Sequence, residues 1–140
     1  MSDLELWHAA LLGATAVHAG FQLTVSTLVY PALADVPAER WRHAHRDHAR
    51  RITPLVAVVY LAVLVVTAGA VVSGPSVAVL VSTAGTALAW AVTALVAAPL
   101  HGRLGGDHDP AGVRRLLRAD RVRSLGALLA LAGALAAVLS

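Results

Sequence analysis

The chain has 140 residues, of which 58% are hydrophobic and 14% charged, and a net charge of +3; its mean hydropathy is +0.72. A soluble domain carries about a quarter charged residues, so an ordinary water-soluble fold is excluded, and nucleic acid is excluded as a partner because no soluble basic face with stacking aromatics is available. There is no cysteine, which rules out disulfides, thiolate metal sites, iron–sulfur clusters and covalently attached haem.

The N-terminus, "MSDLELW", has acids and no basic stretch, so it does not read as a cleaved signal peptide. A first membrane span is predicted over 6–30, stopped by Pro31. It carries a polar stripe of His8, Thr15, His18, Gln22 and Ser26, which fall within about 80° of one another on a helix. Polar groups on a membrane helix face the bundle interior.

Next comes "WRHAHRDHARR", residues 41–51, with three histidines and four arginines. Pro54 suits the first position of a helix, with Thr53 as its cap. The stretch therefore reads as a separate or kinked amphipathic helix, begun near Asp35 or Pro37, ahead of a second span over 54–73. On it Trp41, His45 and His48 share one face, and Arg42, Arg46 and Arg50 share another. Trp41 and Tyr30 fit the aromatic belt at the membrane interface.

The turn "SGPS" leads into a third span over 76–98, stopped by Pro99. Ser82, Thr86, Trp90, Thr93 and His101 lie on one arc of it. The fourth span has a short apolar run, 125–139, so its helix is expected to begin near Val113 and to span 115–139. Spans three and four are rich in Ala, Gly and Thr, which permits close packing in lipid. The fold class is an all-α membrane four-helix bundle in one domain, residues 1–140.

All eleven basic residues are arginine. Arg40, Arg42, Arg46, Arg50 and Arg51 lie between spans one and two. Arg103, Arg114, Arg115, Arg118, Arg121 and Arg123 lie between spans three and four or at the start of span four. With four spans those two loops share one face, and the positive-inside rule places them in the cytoplasm with both termini outside.

Helical rise puts His18, Tyr60 and Trp90 about 18–21 Å from the outer ends and Gln22, Thr93 and Arg123 about 24–26 Å in. His48 and His101 sit at the far boundary with Asp120 and Tyr30. The candidate catalytic residues are His18, His101, Arg123 and Gln22, and Trp90, Tyr60 and Thr93 are candidates for substrate binding. His45 and His48, three apart, could share a metal with His101, as Zn, Cu or Fe. A b-type haem would need a deep axial histidine, for which only His18 serves. Each residue also has a plainer role. His18 could bond a Thr or a carbonyl across helices, Arg123 could pair with Asp120, and Gln22 and the threonines could join helices. His8, His43 and His108 have no assigned part.

Four stretches together carry a family resemblance: "AGFQLTVSTLVYP", "HRDHARRITP", "APLHGRL" and "RRLLRADRVRSLGALLALAGAL". The chain resembles the anthrone oxygenase-like family of small four-span membrane proteins. The matching positions are Pro31, Pro54, Pro99, Leu100, His101, Arg123 and Ser124, with His101 where Asn is common. The resemblance implies oxygenation of a lipophilic phenolic or quinone-like molecule. His18 or His48 and His101 would serve as base or metal ligand, and Arg123 would hold an oxyanion. The alternative is a membrane accessory protein that binds a metal or haem without turnover. Expected partners are the bilayer, a lipophilic small molecule and, as a further one, a second copy of the chain.

Overall fold

The computed structural model describes residues 2–106 and 108–140. Four helices carry the fold: α1 (Asp3–Ala34), α2 (Ala38–Ser73), α3 (Val77–Leu104) and α4 (Pro110–Leu139). There is no strand among the described residues. Each helix is long and apolar enough to cross a bilayer. The chain is an integral membrane protein built as a four-helix bundle. Large apolar side chains such as Leu28, Val58, Leu95 and Leu125 are exposed on its outside, as a lipid solvent requires.

The helix ends follow local chemistry. Ser2 caps α1: its hydroxyl accepts from the Glu5 amide, and its own amide donates to the Glu5 carboxylate at 2.8 Å. Ser76 caps α3 through the Val79 amide. Asp109 caps α4 through the Ala111 amide, with Pro110 in the first turn. The Asp-Pro pair therefore starts α4 before Val113, where the sequence reading placed it.

Prolines do not end helices here as expected. α1 runs on past Pro31 to Ala34, and α3 runs past Pro99 to Leu104. In each case a π-turn, Val25–Val29 or Thr93–Ala97, comes just ahead. The Tyr30 amide bonds the Val25 carbonyl five residues back, and the Ala98 amide bonds that of Thr93. A proline lacks an amide hydrogen and crowds the carbonyl four residues back. The wider turn gives the ring room and lets the helix continue.

Pro54 also lies inside a helix. α2 is one helix from Ala38 to Ser73, so the histidine- and arginine-rich segment is its first part and not a separate element. Thr53 is not a cap; its hydroxyl donates back to the Ala49 carbonyl at 2.7 Å.

α3 and α4 pack most closely, α1 packs on both α4 and α2, and α2 touches α3 more lightly. The α3–α4 contact is backbone on backbone. A methyl added at Gly85 would lie 2.6 Å from the Gly126 carbonyl oxygen, and one at Gly133 would lie 2.8 Å from that of Ala78. Two apolar clusters flank the polar centre. Leu11, Val79 and Ala134 pack near the Gly74 turn, and Val25, Tyr30, Trp41, Leu104 and Leu116 pack at the arginine-rich end.

Trp41 and Tyr30 are not interface anchors. They are 1% and 4% exposed, because their polar tips find partners inside the bundle. The Trp41 indole donates to the Leu104 carbonyl at 2.8 Å, tying α2 to the end of α3. Trp41→Phe removes that bond and leaves a void, so we expect a loss of about 2 kcal/mol. Reversible unfolding in detergent measures it, and an unchanged midpoint would show that the contact contributes nothing.

Candidate functional site

The polar stripe of α1 continues across its π-turn. Gln22, Ser26 and Tyr30 all point into the bundle; the first two meet Asp120 and the third meets His101. Gln22 Nε2 donates to Asp120 Oδ1 at 2.6 Å, and the Ser26 hydroxyl donates to Asp120 Oδ2. Arg123 Nη1 is 3.2 Å from Asp120 Oδ1, forming an ion pair one turn along α4. Asp120 and Arg123 are 1% and 4% exposed, and so deep a pair is stable only with its remaining lone pairs and hydrogens satisfied. Ser26 and Ser124 complete the shell, with hydroxyls 2.7 Å apart.

Arg123 also reaches two phenols, Tyr30 through Nη1 and Tyr60 through Nη2, each at 3.5 Å. Tyr60 lies 2.7 Å from the Thr93 hydroxyl, which donates to the Ala89 carbonyl at 2.8 Å. A threonine hydroxyl has one hydrogen, so Tyr60 donates to Thr93 and turns its lone pairs toward Arg123. Tyr30 is 2.9 Å from His101 Nε2, and His101 Nδ1 is 3.1 Å from His45 Nε2. One connected network thus joins all four helices, from Gln22 and Asp120 through Arg123, Tyr30 and His101 to His45.

Beside this network lies a cavity of about 330 Å³. Tyr30, Thr93, His101 and Arg123 form its polar wall, and Phe21, Val25, Ile52 and Val56 are among its apolar lining. Arg123 Nε is buried and has no hydrogen-bond partner among the described residues. An apolar pocket with a few convergent polar groups is the usual form of a small-molecule site.

No family model, curated protein or solved structure matches the chain. The reading of this site therefore rests on its own geometry.

The residues singled out in the sequence fall into three groups. Gln22, Arg123, Tyr60, Thr93 and His101 are joined in the network. His18 and Trp90 lie above it: the His18 ring meets Tyr60 edge-on at 5.3 Å, and Trp90 stacks on Tyr60 at 5.4 Å. Both His18 ring nitrogens and Trp90 Nε1 are buried without a partner among the described residues, so His18 does not make the cross-helix bond considered for it. The third group is His45, His48 and His101. They do assemble, with ring centres 5.3 Å apart for His45–His101 and 5.9 Å for His48–His101. As placed, however, both nitrogens of His101 are engaged by Tyr30 and His45. No group of three His, Asp or Glu side chains among the described residues is arranged to hold a metal ion.

Tyr30 was expected in the interface belt and Asp120 as a partner of Arg123, and neither was counted among the site residues. The signal for Tyr30 was available, since it follows Gln22 and Ser26 at four-residue spacing. The polar groups of α1 and α3 were also expected to join helices more widely than they do. Thr15 donates to its own helix at the Leu11 carbonyl, and Thr83 to that of Val79; among the described residues Thr93 is the threonine that crosses to another helix, at Tyr60.

Proposed function

We propose that the protein is a membrane-embedded oxidoreductase acting on a lipophilic phenolic or quinone-like molecule held in the His101–Arg123 pocket. The arginine-rich end faces the cytoplasm and both termini face outside, a reading supported by the confinement of all eleven arginines to that end. The observation that carries the functional reading is the meeting of a base, His101, and a buried guanidinium, Arg123, on one wall of an otherwise apolar cavity.

A substrate of the anthrone type has an acidic carbon–hydrogen bond next to an aromatic carbonyl system. Neutral imidazole can take that proton near neutral pH. With Tyr30 and His45 on its two nitrogens, His101 takes it through Tyr30: the phenol oxygen receives the substrate proton as its own hydrogen passes to His101 Nε2, and His101 gives its Nδ1 hydrogen to His45. Shifting hydrogens along Tyr30, His101 and His45 moves a proton toward the arginine-rich end. The enolate oxygen left behind is stabilised by Arg123 and the Tyr30 hydroxyl, donors already held in place and shielded from water. Molecular oxygen then adds to the carbanion, the resulting peroxide takes a proton back from Tyr30, and loss of one water gives the quinone carbonyl. The resemblance of the sequence to anthrone oxygenase-like proteins points to the same substrate class.

Oxygen uptake by the purified protein with an anthrone tests this. The wild type is expected to exceed the uncatalysed rate, and His101→Ala is expected to lose about 100-fold or more of the enhancement. If the two behave alike and both match the uncatalysed rate, the enzyme reading fails. Binding of the anthrone without oxygen uptake would instead indicate a carrier or accessory protein using the same pocket.

A further inference from the structure

A second concavity lies on the outside of the bundle, between α3 and α4. It measures about 490 Å³ and shares no lining residue with the His101 pocket. Its wall includes Leu95, Val96 and Val122, and its end carries Arg103, Arg115 and Arg118. Exposed apolar side chains are ordinary on a membrane helix, so the arginines decide what this groove is for.

What sets these three arginines apart is that they line one groove together with no partner of their own among the described residues. Arg51 pairs with Asp47, Arg42 donates to the Gly106 carbonyl, and Arg123 is bound to Asp120. Arg103, Arg115 and Arg118 are exposed and make no hydrogen bond or ion pair among the described residues. No carboxylate among the described residues lines the groove. Arg115 and Arg118 are three apart on one helix face, where like charges repel. An anion between them and Arg103 relieves that repulsion.

The dimensions favour a lipid over a free anion. From Val92, deepest on the α3 wall, to Arg103 the helix rises about 16 Å. That is about half the thickness of a bilayer's hydrocarbon core. A headgroup held by the arginines would sit at the interface while its chain lay along the groove toward the midplane. Basic pockets between membrane helices are known to take anionic headgroups.

We propose that this groove is a binding site for an anionic phospholipid, with its phosphate on Arg103, Arg115 and Arg118 and an acyl chain against Leu95, Val96 and Val122. The site is separate from the pocket assigned to the substrate, so the proposal stands whether or not the oxidoreductase reading does.

The test is lipid binding to the full chain in detergent, followed by native mass spectrometry. Phosphatidylglycerol and phosphatidylcholine with identical chains are compared. One phosphatidylglycerol is expected to be retained in clear preference to phosphatidylcholine. Replacing Arg103, Arg115 and Arg118 by Gln is expected to weaken it about fivefold for each residue and about 100-fold together. A control variant, with Arg40, Arg46 and Arg50 replaced by Gln, removes the same charge elsewhere and is expected to retain the lipid. Equal binding of the two lipids, or equal loss in both triple variants, would overturn the proposal. Displacement of phosphatidylglycerol by inorganic phosphate at the same concentration would also overturn it, by showing an anion site without a chain groove.

Discussion

Arg123→Leu is expected to destabilise the bundle by about 3–5 kcal/mol, because it leaves Asp120 buried without its counter-charge. Asp120 is 1% exposed and would keep only the neutral donors Gln22 and Ser26. A lone carboxylate at this depth has no water to turn to. The double variant Asp120→Leu/Arg123→Leu removes both charges and is expected to recover most of the loss. Unfolding of the detergent-solubilised protein reads both effects. A single variant costing less than about 1 kcal/mol, or a double variant no better than the single, would show that the buried pair within α4 does not stabilise the bundle. The coupling measured by this cycle also reports on function, since the same guanidinium lines the proposed substrate pocket.

The second large effect lies at the α3–α4 contact. Gly85→Val is expected to cost about 3 kcal/mol or to abolish the folded bundle, since overpacking against a rigid backbone has no cheap relief. The first added carbon would lie 2.6 Å from the Gly126 carbonyl oxygen and would also strike Ala130. Neither obstacle is a flexible side chain, so the helices themselves must part. Gly13 and Gly20 supply the contrast. A carbon added there meets nothing within 4 Å among the described residues. Gly→Ala at either is expected to be neutral or to stabilise by up to about 1 kcal/mol. Circular dichroism and thermal unfolding compare the set. If Gly85→Val and Gly13→Ala melt alike, close backbone contact is not what joins α3 and α4.

Much of the fold could be read from the residues, for a specific reason. Lipid leaves a helix few choices, so long apolar runs and arginine placement identify four helices without any tertiary information. Gly and Ala in spans three and four likewise marked the closest contact. The helix ends were less legible. Pro31 and Pro99 read as stops and Pro54 as a helix start, because proline disrupts the interior of an isolated α-helix, yet Pro54 sits within α2 and the other two follow π-turns. That reading hid Tyr30, which was assigned to the interface and instead bridges Arg123 and His101.

The site itself was half legible. Gln22, Tyr60, Thr93, Arg123 and the trio His45, His48 and His101 could be picked out as polar residues on faces that had to point inward. The pairing of Arg123 with Asp120 was expected and forms; the other pairings could not be read. Depth counted along straight helices placed Gln22 in one layer and Asp120 in another, whereas the two are bonded at 2.6 Å. Helix tilt and a changed turn are tertiary quantities, and both alter which side chains lie level with one another.

The π-turns in α1 and α3 also change how the two helices count. Each holds one residue more than the α-turn it replaces, so the residues on either side are set to different angular phases. In α1 the outer phase directs His18 and Gln22, and the inner phase directs Tyr30. In α3 the outer phase directs Trp90, and the inner phase directs His101. α1 and α3 thus each meet the unbroken α2 and α4 in two phases, one turned toward Tyr60 and Asp120 and the other bringing Tyr30 and His101 together. Loss of a single residue from either turn would rotate one phase relative to the other by about 100°, carrying His101 away from Tyr30 in α3, or Tyr30 away from Arg123 and His101 in α1, while leaving every helix intact.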